Sequence, residues 1–375
     1  MKQKSKERVE NKRSMEMDTN LGRLKQCMLL GEQKGELTIG FFGGSITQGS
    51  LATKEEYTYA YRTYQWWKDT FQEATIHYVN GGIGGTSSHF GVARVEEDLL
   101  IYQPDLVILD FSVNDEAKPF FQETYEGLIR KILNWKSKPA ILLLNNVYYD
   151  TGKNAQEYHN QIGEYYGIPS VSMKDTLYEQ IKEGIYTRDE VTPDGLHPND
   201  KGHELVANEL IKFLECVKEG NVTDPLITLS PMKEPFTANQ YEGAKRLTIR
   251  NSFPTLHGFR VDTEEKKGHL DCFKNGWIGK KEGDSIQFEL EASCLAIQYR
   301  KTIQKPAPIA RVLVDGKVEE AILLDSNFQE DWGDCLFLEP ILHHGEKKKH
   351  EITIEIIEAT KEDNAPFYLL SLIFV

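Results

Sequence analysis

Five short apolar runs alternate with amphipathic segments between residues 18 and 222, and this alternation constrains the fold more than any other feature. The clearest run, DLVILDF at residues 105–111, has no polar alternation, as expected of a strand that is buried on both faces. The other runs lie at residues 37–43, 76–80, 140–146 and 168–173. Helical patterns lie at residues 21–30, 59–71, 90–102, 120–135, 154–167 and 201–217. Repeated strand–helix units predict an α/β domain with a parallel five-stranded sheet covered on both faces.

The pattern changes after about residue 222, where helical periodicity fades. Short strand-like runs follow at residues 245–252, 284–291, 294–301, 310–316, 350–359 and 366–375. Turn sequences such as KEGD and VDG separate these runs, so we predict an all-β domain with a sandwich architecture. The charged sequence HHGEKKKHE at residues 343–351 predicts a solvated hairpin turn.

A chain of 375 residues is long enough for two domains. We expect a disordered or extended N-terminus at residues 1–17, because this stretch is polar and densely charged. We expect the α/β domain at residues 18–222 and the β-sandwich domain at residues 223–375, with the linker inside residues 218–235.

Composition makes several classes of protein improbable. The formal net charge of −14 argues against nucleic acid or an anionic membrane as the main partner, because both attract basic surfaces. No apolar run reaches the roughly 20 residues of a membrane helix. The charged first twenty residues lack the apolar stretch of a signal peptide, so we expect a cytoplasmic protein. Five scattered cysteines without a CxxC pair predict neither a disulfide framework nor a zinc site.

Four polar or glycine-rich segments fall where ligands of parallel α/β sheets bind, at the carboxyl ends of the strands. They are GGSIT at residues 43–47, NGGIGGTSS at residues 80–88, SVND at residues 112–115 and DGLHP at residues 194–198. Ser45 lies at a predicted strand-to-helix turn between glycines, which allow close approach and unusual backbone angles. We therefore expect Ser45 to be exposed at the strand end.

These segments together supply the parts of a nucleophilic site. A serine hydroxyl is a weak nucleophile at neutral pH and needs a base, which His197 can provide. Asp194, three residues earlier, can accept a hydrogen bond from the other imidazole nitrogen and fix its tautomer. The backbone N–H groups of Ser45 and Gly85 and the side-chain amide of Asn114 can donate to the oxyanion that the attack creates.

The ordered set Ser45, Gly85, Asn114 and Asp194-x-x-His197 resembles the four sequence blocks of the SGNH, or GDSL-type, hydrolases. The resemblance covers roughly residues 18 to 218 and implies a flavodoxin-like three-layer domain with Ser45 as nucleophile. Gly85 is preferred over the neighbouring glycines because the last glycine of the run best matches the family block. Gly44 and Ser112 stand where the family usually has aspartate and glycine, and neither of those replaced residues performs chemistry in the family.

The same blocks look most like the carbohydrate-esterase branch, and the appended β-domain resembles the two-domain mannan acetyl esterases of gut bacteria. The resemblance implies a serine esterase that removes O-acetyl groups from oligosaccharides, with manno-oligosaccharides preferred and xylo-oligosaccharides next. It implies no metal and no organic cofactor. Two alternatives remain: an SGNH esterase, lipase or thioesterase for another acyl ester, and a catalytically idle carbohydrate-binding protein. The oligomeric state stays open, with a homo-oligomer as one option.

Two tryptophans of the β-domain are candidates for contact with sugar. Trp277 and Trp332 lie in glycine-bearing segments of the predicted sandwich, and flat aromatic faces suit sugar rings. His203 lies in the last predicted helix and His89 just after the glycine block, and for both we expect structural rather than catalytic roles.

Overall fold

The structure is a computed structural model that describes residues 19–223 and 233–375. The expected disorder of residues 1–17, and the middle of the expected linker, lie outside the described residues. The chain forms two compact units, the first ending at Glu242 and the second beginning at Gly243. Within the described ranges, no helix has the length and apolar character needed to cross a membrane.

The first unit is built on one parallel sheet. Its strands are β1 (Glu36–Gly43), β2 (Thr75–Asn80), β3 (Leu106–Asp110), β4 (Ala140–Asn145) and β5 (Ser170–Ser172). They pair in the order β2-β1-β3-β4-β5, and every pairing is parallel. This confirms the predicted five-stranded parallel sheet, and the order is that of flavodoxin-like folds.

Helices cover both faces of the sheet. In chain order they are α1 (Asn20–Glu32), α2 (Ser45–Gln48), α3 (Tyr59–Thr70), α4 (Ser88–Asp98), α5 (Pro119–Leu133), α6 (Gln156–Tyr166), α7 (Leu177–Lys182), α8 (Arg188–Val191) and α9 (Asp200–Lys218). Helices α1, α3 and α9 share one core with alternate strand residues such as Leu106 and Ile108, while α4, α5 and α6 pack as neighbours on the other face. Because Val107 and Leu109 are as fully buried as their neighbours, β3 has no solvent-facing side.

Two details differ from the sequence pattern. The helix expected at residues 90–102 ends at Asp98, and a short 3₁₀ turn follows at Leu100–Tyr102. Gln103 then adopts a left-handed backbone (φ 52°) immediately before Pro104, which ends the helical segment. Helices α2, α7 and α8 were not predicted, because four to six residues are too few to show a helical period.

The second unit is an antiparallel β-sandwich, as predicted. Its strands are β6 (Lys245–Leu247), β7 (Thr255–His257), β8 (Arg260–Val261), β9 (Trp277–Gly279), β10 (Ser285–Ala292), β11 (Leu295–Lys301), β12 (Ile309–Val314), β13 (Ile322–Asp325), β14 (Cys335–Leu342), β15 (Lys348–Glu358) and β16 (Phe367–Phe374). One sheet has the order β13-β12-β15-β10-β7, and the other has β14-β11-β16-β9-β8, with β6 paired to β16. Side chains from both sheets form one core.

The charged segment at residues 343–351 does not form a hairpin turn as predicted. It follows β14, which pairs with β11, and leads into β15, which pairs with β10 and β12. The segment therefore carries the chain from one sheet of the sandwich to the other. A run of charged and polar residues cannot distinguish a hairpin from such a crossing, because both connect two strands through a polar loop.

The boundary between the units lies later than the pattern suggested, because residues 233–242 pack on α5. Glu126 of α5 is fully buried, and its two carboxylate oxygens accept four hydrogen bonds. The donors are the Phe236 N–H (2.6 Å), the Thr237 N–H (2.7 Å), the Thr237 hydroxyl and the Tyr166 hydroxyl (both 2.5 Å). A Cβ at Gly127 would lie 2.7 Å from the Glu242 backbone nitrogen, so the glycine permits this approach.

We predict that Glu126→Gln destabilises the protein by about 2–4 kcal/mol, because the amide would turn two hydrogens toward groups that are themselves donors. The measurement is urea unfolding of the full chain. Glu157→Gln on α6 is the matched control, since Glu157 is exposed, and it should change stability by less than about 0.5 kcal/mol. Equal stability of the two variants would contradict the proposed anchoring role of Glu126.

Candidate active site

The turn that carries Ser45 is held closely against the neighbouring strand. Ser45 is the first residue of α2, and Gly44 connects it to the end of β1. The Gly44 N–H donates to the backbone carbonyl of Asp110 on β3 (3.3 Å). A Cβ at Gly43 would lie 2.3 Å from that carbonyl oxygen, and one at Gly44 would lie 2.1 Å from Asn114 Oδ1. Both glycines are therefore required by close contacts.

Ser45, His197 and Asp194 form a continuous hydrogen-bonded chain. Ser45 Oγ lies 2.9 Å from His197 Nε2, and His197 Nδ1 lies 2.7 Å from Asp194 Oδ2. With Nδ1 protonated and donating to Asp194, Nε2 is left as an acceptor for the serine proton, which is the arrangement a general base requires. Ser45 is only 8% exposed, so the expectation that it is exposed at the strand end is wrong: the residue is buried at the site.

Asp194 is held as an anion by the loop that contains it. Its Oδ1 accepts the N–H groups of Leu196 (2.9 Å) and His197 (2.8 Å) and the hydroxyl of Thr192 (3.0 Å). Burial opposes ionisation, but the hydrogen bonds from His197 and from the two backbone N–H groups outweigh it and lower the pKa of Asp194 to about 2. Asp194 is therefore ionised throughout the pH range in which a histidine base works.

The loop before His197 is also tied to the segment after β4. Arg188 donates to both carboxylate oxygens of Asp150 (2.9 and 3.3 Å) and to the Pro193 carbonyl (3.2 Å). A Cβ at Gly195 would lie 2.0 Å from Asp150 Oδ2, and Gly195 has a positive φ of 81°. These contacts fix the backbone between Asp194 and His197.

The glycine loop after β2 binds the N–H groups of its first three glycines and leaves the Gly85 N–H without an acceptor in the described residues. Four of its N–H groups have acceptors: Gly81 donates to Phe41 O, Gly82 to Asn80 Oδ1, Ile83 to Gly43 O and Gly84 to Gln48 Oε1. No acceptor for the Gly85 N–H occurs within residues 19–223 or 233–375. Gly85 is exposed and has a positive φ of 68°, which favours glycine. Among the glycines of this loop, Gly85 is the one whose N–H has no acceptor in the residues that the structure describes, so it stays the predicted oxyanion donor.

The remaining two predicted donors lie at the same turn. The Ser45 N–H is at the first position of α2, where helical N–H groups have no intrahelical acceptor. The Asn114 amide lies against Gly44, and in the part of the chain that the structure describes its side chain makes no hydrogen bond. All five residues predicted to do the chemistry are thus placed around the turn at the carboxyl edge of the sheet.

Comparison with known proteins agrees with this geometry. A family model described as the GDSL-like Lipase/Acylhydrolase family matches residues 41–205. A two-domain esterase active on acetylated mannans, solved with mannopentaose and without it, is 47% identical; 94% of each chain is covered, with TM-scores of 0.90 and 0.91. The chain belongs to the GDSL-like lipase/acylhydrolase family. Membership in this SGNH-type family makes the protein a carboxylic ester hydrolase.

Two curated relatives each match part of this GDSL-like hydrolase. An arylesterase of Vibrio mimicus is 26% identical over 151 residues, which cover 38% of this chain and 73% of the relative. An acetylxylan esterase of Geobacillus stearothermophilus is 23% identical over 163 residues, which cover 38% of this chain and 74% of the relative. The two-domain esterase covers the β-sandwich unit as well.

Sequence reasoning missed the residues that support the site of this hydrolase. Arg94 on α4 is fully buried and donates to the carbonyls of Gly81 (2.6 Å) and Gly43 (3.0 Å), joining the loops that follow β1 and β2. It also pairs with Asp98 (3.0 Å). An arginine on the apolar face of a predicted helix, in FGVARV, was the available signal. Nothing in the sequence alone indicated what it would bind.

The spare histidines have the structural roles that were expected. His203 is fully buried; its Nδ1 accepts the Tyr59 N–H and its Nε2 donates to the Ser50 carbonyl (both 3.2 Å). Burial lowers the pKa of His203 to about 4, so it stays neutral at physiological pH. His89 is buried within α4 and packs edge-on against Phe120 and Tyr241.

The two candidate tryptophans differ in environment. The prediction that Trp277 contacts sugar is wrong, because Trp277 is 1% exposed and packs edge-on against Phe288 in the sandwich core. Its glycine neighbours belong to β9 and to close backbone contacts rather than to an exposed loop. Trp332 is 56% exposed, rests edge-on against Phe328 and donates from Nε1 to Glu330 (2.5 Å). Only Trp332 offers an open ring face.

We predict that Asn114→Ala lowers kcat about 100- to 1000-fold on an aryl acetate, because one oxyanion donor is lost, while KM changes little. Asn221→Ala, on an exposed residue after α9, is the control and should leave both constants unchanged. The measurement is steady-state hydrolysis at neutral pH. A rise in KM at unchanged kcat would mean that Asn114 binds the ground state and is not an oxyanion donor.

Proposed function

We propose that this protein is a serine esterase that removes O-acetyl groups from oligosaccharides of plant polysaccharides, with acetylated manno-oligosaccharides preferred over xylo-oligosaccharides. The observation that carries the proposal is the 47% identity, over 94% of both chains, to a two-domain esterase active on acetylated mannans. An acetylxylan esterase among the relatives supports xylo-oligosaccharides as the second substrate class.

The proposed reaction uses the hydrogen-bonded chain at Ser45. Ser45 Oγ attacks the acetyl carbonyl while His197 Nε2 takes the hydroxyl proton, and Asp194 stabilises the imidazolium that forms. The N–H groups of Ser45 and Gly85 and the Asn114 amide hold the tetrahedral oxyanion. His197 returns the proton to the departing sugar oxygen, which leaves an acetyl group on Ser45. Water then attacks this ester, with His197 again as base, and acetate is released.

The first alternative is a GDSL-like hydrolase for another ester, such as a long-chain acyl ester or thioester. One relative is an arylesterase, so small aryl esters are candidate substrates under this alternative. A long acyl chain needs an extended apolar groove, whereas an acetyl group needs room only beside the enclosed Ser45. Rates on aryl esters of increasing chain length separate the two: an acetyl esterase should lose activity as the chain grows.

The second alternative, a carbohydrate-binding protein without catalysis, is disfavoured by the geometry of the site. A base within hydrogen-bond distance of the serine, a carboxylate on the base and an unused N–H group beside the serine are features that binding alone does not require. In our proposal the β-sandwich unit resembles a carbohydrate-binding module and assists substrate binding. A cytoplasmic location, a homo-oligomeric state and catalysis without a metal or organic cofactor stay predictions.

We predict that the protein releases acetate rapidly from acetylated manno-oligosaccharides, more slowly from acetylated xylo-oligosaccharides, and from neither after Ser45→Ala. The measurement is acetate release with both sugars in parallel. Ser50→Ala, five positions after Ser45 and outside the hydrogen-bonded chain of Ser45, His197 and Asp194, serves as the serine control. No release from either sugar, together with activity on longer acyl esters, would contradict the carbohydrate substrate and favour the first alternative.

We predict that Trp332→Ala weakens binding of a manno-oligosaccharide at least about tenfold, because an exposed aromatic face of this kind stacks on a sugar ring. Binding is measured by calorimetry in the Ser45→Ala background, so that the ligand is not consumed. Phe253→Ala is the control, since Phe253 is 96% exposed in the same unit. Equal affinity of the two variants would show that Trp332 does not bind this ligand.

A further inference from the structure

A buried polar pair lies directly behind the turn that carries Ser45. Asp110, the last residue of β3, is 1% exposed, and Asn146, which follows β4, is fully buried. Asn146 Nδ2 donates to Asp110 Oδ2 (2.9 Å), and Thr47 of α2 donates from Oγ1 to the same oxygen (3.2 Å). The Tyr59 hydroxyl lies 2.7 Å from Thr47 Oγ1 and is placed to donate to it.

The other oxygen of each side chain in this pair has no donor. Asp110 Oδ1 and Asn146 Oδ1 are both buried, and neither accepts a hydrogen bond from any residue that the structure describes. A buried acceptor without a donor lowers the free energy of unfolding, and the loss is largest when the acceptor is an ionised carboxylate. The two side chains are already joined through their other atoms. A single proton on Asp110 Oδ1, donated to Asn146 Oδ1, would therefore satisfy both oxygens.

The groups around Asp110 do not compensate a negative charge. Three tyrosines face it: Tyr59 from α3, Tyr125 from α5 and Tyr149 from the segment after β4. Burial is the largest cause that raises the pKa of each tyrosine, and the proximity of Asp110 is a smaller one. All three tyrosines therefore stay neutral. The buried Arg94 donates to Asp98 and to the backbone carbonyls of Gly81 and Gly43.

A second buried carboxyl at this edge of the sheet, Asp115, has its own hydrogen-bond donors. Asp115 accepts from the His159 ring at 3.0 Å and from the Ser88 N–H at 2.8 Å, and the His159 ring stacks on Tyr125. Burial raises the pKa of Asp110 to about 7 against the opposing hydrogen bonds from Asn146 and Thr47. The electrostatics thus agree with the hydrogen-bond geometry.

We propose that Asp110 carries a proton in the folded enzyme, shares it with Asn146 as a neutral acid–amide pair, and acts as a positioning residue for the Ser45 turn. The proton sits on Asp110 Oδ1 and is donated to Asn146 Oδ1, while Asn146 Nδ2 donates back to Asp110 Oδ2. Asp110 Oδ2 accepts the Thr47 hydroxyl, and the Asp110 backbone carbonyl accepts the Gly44 N–H. Gly44 and Thr47 lie on either side of Ser45 and Ile46, so Asp110 holds the turn at both ends. The positioning role rests on the proposed function of Ser45; the protonation does not.

The proposal has a definite consequence for stability. An unfolded aspartate ionises near pH 3.9, whereas Asp110 keeps its proton until about pH 7 in the folded state. Between these values the folded state binds the additional proton, so the contribution of Asp110 to folding stability falls as pH rises from about 4 to about 7 and is constant above that. Asp110→Asn is isosteric with the protonated acid, can make the same two hydrogen bonds to Asn146, and has no such pH dependence.

The direct test is infrared spectroscopy of the full-length protein at pH 5.5. We expect a carboxylic-acid C=O band that is absent from Asp110→Asn, retained in the control Asp69→Asn and retained in Ser45→Ala. Asp69 is an exposed carboxyl on α3. If Asp110→Asn fails to fold, Asn146→Leu replaces it: removing one donor to the acid carbonyl should move the band to higher frequency. Absence of any band that depends on Asp110 or Asn146 would mean that Asp110 is ionised and would overturn the proposal.

Stability and kinetics test the same proposal independently. Between pH 4 and pH 7 the wild type should lose stability relative to Asp110→Asn, and a difference that is constant with pH would contradict a shared proton.

On an aryl acetate, Asp110→Ala should lower kcat at least about tenfold with little change in KM, because the serine turn shifts. Asp110→Asn should restore most of that kcat. An acid band in a protein whose Ser45→Ala variant is still active would refute the proposed function and leave the acid–amide pair standing.

Discussion

The catalytic edge of the sheet depends on how closely β3 approaches the turn after β1. Gly43 and Gly44 have no room for side chains, because the Asp110 carbonyl and the Asn114 amide occupy that space. The same contact brings Asn114 next to Ser45 and lets Gly44 donate to β3. A larger residue at either glycine would separate the two loops and move the serine away from an oxyanion donor. The parallel register of β1 and β3, which aligns Gly43 with Asp110, makes this contact possible.

Around this contact, each catalytic group is positioned by hydrogen bonds from backbone atoms near it. Asp194 accepts the N–H groups of Leu196 and of His197 itself, so the carboxylate and the imidazole are placed by one short loop. Four N–H groups of the glycine loop are bound to β1, to α2 and to the loop's own Asn80, whereas the Gly85 N–H, the proposed oxyanion donor, has no acceptor in the described residues. Because these groups are oriented before substrate arrives, little reorganisation is required in the transition state.

Much of the fold could be predicted from sequence because its strands are buried on both faces and its helices have clear periods. Three of the four candidate segments could be proposed because they directly follow strands of the sheet, and the fourth, at residues 194–198, because it directly precedes the last helix of the first unit. What could not be predicted rests on contacts between residues far apart in sequence. Glu126 meets Thr237 across 111 positions, and neither residue type signals that contact. Short or half-exposed strands such as β7, β8 and β13 lack a clear pattern. Trp277 was misjudged because a tryptophan beside glycines fits a loop and a buried strand equally well.

The most informative measurement is rapid-quench mass spectrometry of the enzyme during turnover of an aryl acetate, with peptide mapping of the acetylated residue. If Ser45 is the nucleophile, acetyl will be found only on the peptide that contains Ser45, and it will form and decay fast enough to account for kcat. The Ser45→Ala variant will then show neither the adduct nor turnover. Acetylation of a different residue during turnover, or turnover at the wild-type rate in the variant, would contradict the catalytic mechanism derived from this structure.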